Sequence, residues 1–73
     1  MKREKVENSS NIVSIGYDPV NQIMQVKFKS GGIYDYRPVN ALMYEEYKVA
    51  ESKGKWVNAS LVRNNDIKCN KVG

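Results

Sequence analysis

Histidine is absent from the 73 residues. Its absence removes the side chain that most often acts as a general base near neutral pH, and the commonest transition-metal ligand. A single cysteine, Cys69, rules out an intramolecular disulfide and fits a reducing, cytoplasmic setting. No long apolar run exists to cross a membrane. The charged start (Lys2, Arg3, Lys5) is not followed by the apolar stretch of a signal peptide, so none is expected. The length also leaves no room for a second core.

What is present looks globular: 41% of residues are hydrophobic and 27% charged, too apolar for a disordered chain. Twelve basic residues against eight acidic ones give a net charge of +4. The excess is concentrated late, where Lys53, Lys55, Arg63, Lys68 and Lys71 face only Asp66. Such an end attracts polyanions, although a merely solvated tail has the same composition. A chain this short buries only about 60% of the surface it exposes when unfolded, so a bound partner would add usefully to its stability.

The pattern divides into a flexible N-terminal arm at 1–10, a single domain at 11–69 and a tail at 70–73. Asn8-Ser9-Ser10-Asn11 reads as a loop-like break. Ile12 to Tyr17 is β-branched and reads as a strand, with Val13, Ile15 and Tyr17 on one face. Asp18-Pro19-Val20-Asn21 has turn chemistry. In Ile23 to Lys29, Met24, Val26 and Phe28 alternate with polar residues, as in a half-buried strand. Ile33 to Arg37 is the third strand. A three-residue loop, Lys29-Ser30-Gly31, sets Val26 opposite Tyr34 and Met24 opposite Tyr36. A two-residue loop would instead bury the Asp35 carboxylate beside Val26, at a large desolvation cost. After Pro38, Asn40 is the expected cap of a helix from Ala41 to Lys53, with Met43, Tyr47 and Ala50 as its buried stripe and Gly54 as a left-handed stop. Asn58 is expected to cap a short turn from Ala59 to Arg63, and Ile67 and Cys69 to share one face of a short last strand. The fold class expected is α+β: a three-stranded antiparallel meander packed by one main helix, then a short helical turn.

In order and spacing, Tyr17-Asp18, Met24-x-Val26-x-Phe28, Gly31, Tyr34-x-Tyr36, Val39, Met43-Tyr44, Ala50-x-Ser52-Lys53-Gly54 and Trp56-x-Asn58 resemble the KTSC domain. That family takes its name from the C-terminus of some lysyl-tRNA synthetases and also occurs as small free-standing bacterial and phage proteins. The resemblance runs from about Ser9 to Leu61. It matches the family's tyrosine-x-tyrosine to Tyr34 and Tyr36, and its later motif to Ser52, Gly54 and Asn58. It departs late, with Val62 and Asn65 where the family usually has a basic residue and an aromatic. What the resemblance implies is a small binding module, with RNA suggested by the synthetase context.

The residues leave several readings open for that module. Tyr34 and Tyr36 suit a base-stacking platform or a core. Lys27, Lys29 and Arg37 make a basic sheet face, and Lys55, Trp56 and Arg63 add charge and a ring expected to stand exposed. Together these six form the expected nucleic-acid surface. A protein partner, such as a host enzyme on which a phage-type protein docks, and a small ligand held in the tyrosine-rich interior are the alternatives. The chain is expected to be a monomer or weak homodimer without a membrane partner. No enzyme activity, cofactor or metal is expected. Glu45 and Glu46 diverge on a helix, Cys69 has no histidine to activate it, and Ser30-Gly31-Gly32 is too short to cradle a phosphate.

Overall fold

Where the alternation of apolar and polar residues is strongest, the computed structural model forms paired strands; it describes residues 1–7 and 9–73. Asn8, part of the expected loop-like break, lies outside the described residues. The elements run β1 (Glu4–Lys5), β2 (Ile12–Asp18), β3 (Ile23–Phe28), β4 (Ile33–Arg37), α1 (Ala41–Val49), α2 (Lys53–Val57) continuing into a π-helical turn (Asn58–Val62), and β5 (Lys68–Lys71). All neighbouring strands are antiparallel, in the order β1-β2-β3-β4-β5. The α+β class stands, but the sheet has five strands where three and a short last one were expected, and two helices cover it instead of one.

The two central turns follow from their residues. Asp18 accepts hydrogen bonds from the backbone N–H groups of Val20 (3.0 Å) and Asn21 (3.2 Å) and from the Asn21 side chain (2.8 Å). The Asn21 side chain, followed by the backbone donors, holds the Asp18 carboxyl below its ordinary pKa. Between β3 and β4, Gly31 has a φ of 107°, a left-handed value that favours glycine. The Gly31 N–H donates to the Phe28 carbonyl and the Phe28 N–H to the Gly32 carbonyl, both at 2.9 Å. This odd-length loop sets Met24 opposite Tyr36, Gln25 opposite Asp35 and Val26 opposite Tyr34, the register that keeps Asp35 off the core face.

β2 departs from simple alternation. A register shift between Ile12 and Ser14 places Ile12 (0% exposed) in the core with Ile15 (3%), and leaves Val13 half-buried. Such a bulge adds one residue to the strand, so the inward face skips from 12 to 15. β1 has no apolar alternation of its own. It pairs Glu4 with Ile15 and Lys5 with Ser14, and the Val6 N–H extends the ladder to the Val13 carbonyl at 2.9 Å. A short charged strand at an edge discourages pairing with other chains.

Asn40 caps α1 as expected, its side chain accepting from the Met43 N–H at 2.9 Å. The helix then stops at Val49, four residues before the expected end. Ala50 is extended (φ −66°, ψ 135°), and the Lys53 ammonium donates to the carbonyls of Lys48 and Ala50, both at 2.8 Å. Ser52 accepts from the Lys55 N–H at 3.2 Å and starts a new helix. Gly54 is therefore no stop: it sits in the first turn of α2 with no left-handed φ. A Cβ there would lie 2.5 Å from the Asn11 side-chain oxygen, so the position is kept small by close approach of the loop before β2. Asn58 is not a cap either. Its N–H bonds to the Gly54 and Lys55 carbonyls within the continuing helix, which widens until the Arg63 N–H meets the Asn58 carbonyl at 3.0 Å. This second segment drives Val57 (0%) and Leu61 (1%) into the core beside Ile12, Met24 and Val26. Among the described residues no helix is long and apolar enough to cross a membrane.

Candidate nucleic-acid interface

Cross-strand partners project to the same side of a sheet, so the register sorts side chains onto two faces. One face meets the helices. It holds Ile15, Val26 and Tyr34 in one row and Tyr17, Met24, Tyr36 and Cys69 in the next. The other face carries no helix and is crossed by Met1–Arg3 over the buried Gly16. There Lys5, Ser14, Lys27 and Ile33 form one row, followed by Gly16, Gln25, Asp35 and Asn70. Arg37 and Lys68 pair at the far end, beside Ile23 and Asp18.

A polar relay crosses the middle of the open face. The Arg3 guanidinium donates to the Gln25 side-chain carbonyl, passing over Gly16, and the Gln25 amide donates to the Asp35 carboxylate at 2.9 Å. Asp18 is engaged by its own turn. Both carboxylates of this face thus accept hydrogen bonds from within the protein, while Lys27, Arg37 and Lys68 make no ion pair among the described residues. Lys5 makes one exposed contact, 3.9 Å from Glu7.

The aromatic residues all lie on the helix side. Tyr17 stacks on Tyr44 (centroids 4.4 Å, 13° between planes), Tyr44 on Tyr47 (5.9 Å, 20°), and Tyr47 meets Trp56 edge to face (5.6 Å, 65°). The Tyr17 hydroxyl donates to the Val39 carbonyl at 2.7 Å. Beyond Tyr36, the sheet contributes a second group in which Phe28 and Tyr34 (5.7 Å) and Tyr34 and Tyr36 (6.5 Å) are in contact. Tyr36 is 4% exposed, and burial, then the neighbouring Cys69, raises its pKa well above the ordinary tyrosine value. Tyr34 is half-buried.

The six residues expected to form one nucleic-acid surface are divided by the sheet. Lys27 and Arg37 stand on the open face. Lys29 is exposed in the β3–β4 loop, its N–H bonded to the Asn11 carbonyl at 2.8 Å. Lys55 and Arg63 are exposed on the helical layer, on the other side. Trp56 is not the exposed ring expected: it is half-buried, turned onto Tyr47 by the elbow at 50–52. Of the motif residues, Tyr34 and Tyr36 sit on the core face, while Ser52, Gly54 and Asn58 line a shallow polar depression with Ser9 and Asn11. Lys68, which alternation along a last strand could have placed, and Arg3, for which the sequence holds no local signal, complete the open basic face.

The KTSC domain profile matches residues 8–64. An uncharacterized protein of Stutzerimonas stutzeri is 40% identical over 58 residues, covering 80% of either chain. A protein of Tsukamurella paurometabola is 40% identical over 50 residues, 68% of this chain and 75% of its own. The crystal structure of a KTSC domain protein from Yersinia pestis superposes with a TM-score of 0.85 at 35% identity, covering 99% of this chain and 97% of that one. With the profile spanning most of the domain, and a solved KTSC protein sharing the whole fold, the chain belongs to the KTSC domain family.

Proposed function

We propose that this chain is a non-catalytic binding module of the cytoplasm that holds RNA by its phosphates on the open face of the sheet. The observation that carries the reading is the gathering of Arg3, Lys5, Lys27, Arg37 and Lys68 on the sheet face that carries no helix. That face offers cations and no ring, because every aromatic side chain packs on the helix side. Binding of this kind follows the backbone and tolerates any base sequence. Trp56 has no stacking role in this reading, and Lys55 and Arg63 lie outside the interface.

Fluorescence anisotropy with labelled tRNA and with an unrelated oligonucleotide, over a salt series, tests it. The two ligands should give similar slopes of log affinity against log salt. Lys27→Ala, Arg37→Ala and Lys68→Ala should each reduce that slope by roughly one unit. Lys55→Ala should leave it unchanged. Absence of binding to either ligand below about 100 μM at low salt would overturn the reading in favour of a protein partner.

A further inference from the structure

On the helix side, β1 stands off from α1 and α2 and leaves a cleft of ≈ 370 Å³, to which Lys5 is the one contribution from the basic face. That volume is within the range of small-molecule sites. The geometry points to this cleft as a binding site for a small zwitterion with an apolar group, of the kind represented by an aliphatic amino acid or dipeptide.

Three features of the cleft wall define that chemistry. The first is Tyr47. Only 6% of the residue is exposed, yet its hydroxyl has no hydrogen-bond partner among the described residues. No polar side-chain atom there is both buried and unpartnered, so the hydroxyl opens to solvent, and the cleft is where this residue meets it. Burial, then the neighbouring Tyr44 and the charge of Glu4, push the Tyr47 pKa up to about 12. At neutral pH the group is a protonated phenol whose O–H has no acceptor among the described residues. The second feature is Lys53, whose ammonium sits 5.4 Å from the centre of the Tyr47 ring. Two carbonyls at 2.8 Å hold it there and take two of its three protons, leaving one donor and the charge. A phenol and an ammonium that both line the cleft suit a carboxylate.

The third feature lies across the cleft. Glu4 of β1 and Glu7 just after it line the cleft, and Glu4 makes no ion pair among the described residues. Glu4 pairs with Ile15 and so projects to the helix side, which is why its charge acts on Tyr47. Lys5 lines the same wall 3.9 Å from Glu7, so Glu4 is the carboxylate there without a cation of its own, and it suits a ligand ammonium. Between the two polar walls, Val6 and the buried Ile15 provide an apolar floor for the rest of the ligand.

Amide chemical-shift titration of the full chain with three probes tests the site: leucine (zwitterion), N-acetylleucine (anion only) and leucinamide (cation only). Leucine should saturate shifts at residues 4–6, 44–47 and 53 with a Kd of about 1 mM or tighter. The other two should bind about tenfold more weakly, each lacking one charge-assisted contact. Tyr47→Phe keeps the ring and should weaken leucine about tenfold. Glu4→Gln, at an exposed position, should weaken leucine and leucinamide but not N-acetylleucine. Equal affinity for all three probes, no saturable shift with leucine, or wild-type affinity in Tyr47→Phe would overturn the assignment. None of these outcomes depends on RNA binding, which is read from the salt slopes of the Lys27, Arg37 and Lys68 variants, none of which lines the cleft.

Discussion

One residue of register separates the two faces of this sheet, yet they have almost nothing in common. Towards the helices stand Ile15, Tyr17, Met24, Val26, Tyr34 and Tyr36; away from them stand Ser14, Gly16, Gln25, Lys27, Asp35 and Arg37. The first set is interlocked with Val57 and Leu61 of the second helical segment. The second is held by one relay from Arg3 to Asp35 and, apart from Gly16 beneath residues 1–3, has no element packed on it. In a domain of 73 residues, stability therefore comes mainly from one side of the sheet, and the other is free to carry binding groups. Substitutions on the two faces should differ accordingly.

The largest effect expected is from Leu61→Ala. This side chain is 1% exposed and belongs to the segment that sequence patterning reduced to a short turn. Truncation of such a residue costs about 2–5 kcal/mol, comparable with the whole stability of a domain this small. Circular dichroism in a urea series should show a largely unfolded protein near 25 °C. A midpoint close to wild type would mean that the segment merely rests on the core.

That segment also shows where the sequence was legible and where it was not. The β3–β4 register could be read because one carboxylate, Asp35, had an expensive wrong side and Gly31 offered the turn that avoided it. Asn40 was legible because a cap acts locally. The break at Ala50–Ser52 was not: a serine cap and a glycine stop two residues apart compete, and the packing of Val57 and Leu61, spaced one helical turn apart, decides for the cap. β1 was illegible because its pairing answers the unpaired edge of β2 and nothing in Glu4-Lys5 itself. For the open face, alternation gave Lys27 and Arg37 directly. Trp56 was misplaced because its direction depends on the elbow, a tertiary feature.

Gly54→Ala comes next in size. The added Cβ would lie 2.5 Å from the Asn11 side-chain oxygen and 3.3 Å from the Ser9 hydroxyl. Relief requires the loop before β2 to move, and overpacking of this kind costs about 1–3 kcal/mol. The urea midpoint should fall, and should recover in part when Asn11 is also shortened to alanine. No recovery would place the cost elsewhere than in this contact.

Alkaline pH probes the same side through its tyrosines. Tyr47 and Tyr36 both have folded pKa values above their unfolded ones, so each binds its proton more tightly when folded. Their contribution is fully present below about pH 10, the ordinary tyrosine value, and is lost as pH rises through the folded values. For Tyr47 that window ends at about 12. The melting temperature should fall across it, and Tyr47→Phe should fall less steeply. At pH 7 the same variant should be close to wild type in stability, since the hydroxyl it removes has no partner within the protein.

The smallest effect expected is the one that defines the open face. Lys27 lies between Ser14 and Ile33 in its row and makes no ion pair among the described residues. Lys68 is exposed on the edge strand β5. Replacing either with alanine removes a solvated charge and a little stem packing, a change within about 0.5 kcal/mol. Their urea midpoints should overlap wild type, while the salt slope for RNA falls. Gln25→Ala is the sharper control, because it cuts the relay that ties Arg3, just before β1, to Asp35 of β4. If it destabilises no more than Lys27→Ala, the open face contributes nothing to the fold. If Lys27→Ala itself lowers the midpoint by more than about 1 kcal/mol, the separation of stability from binding between the two faces fails, because the groups proposed to meet phosphates would then also be holding the sheet together.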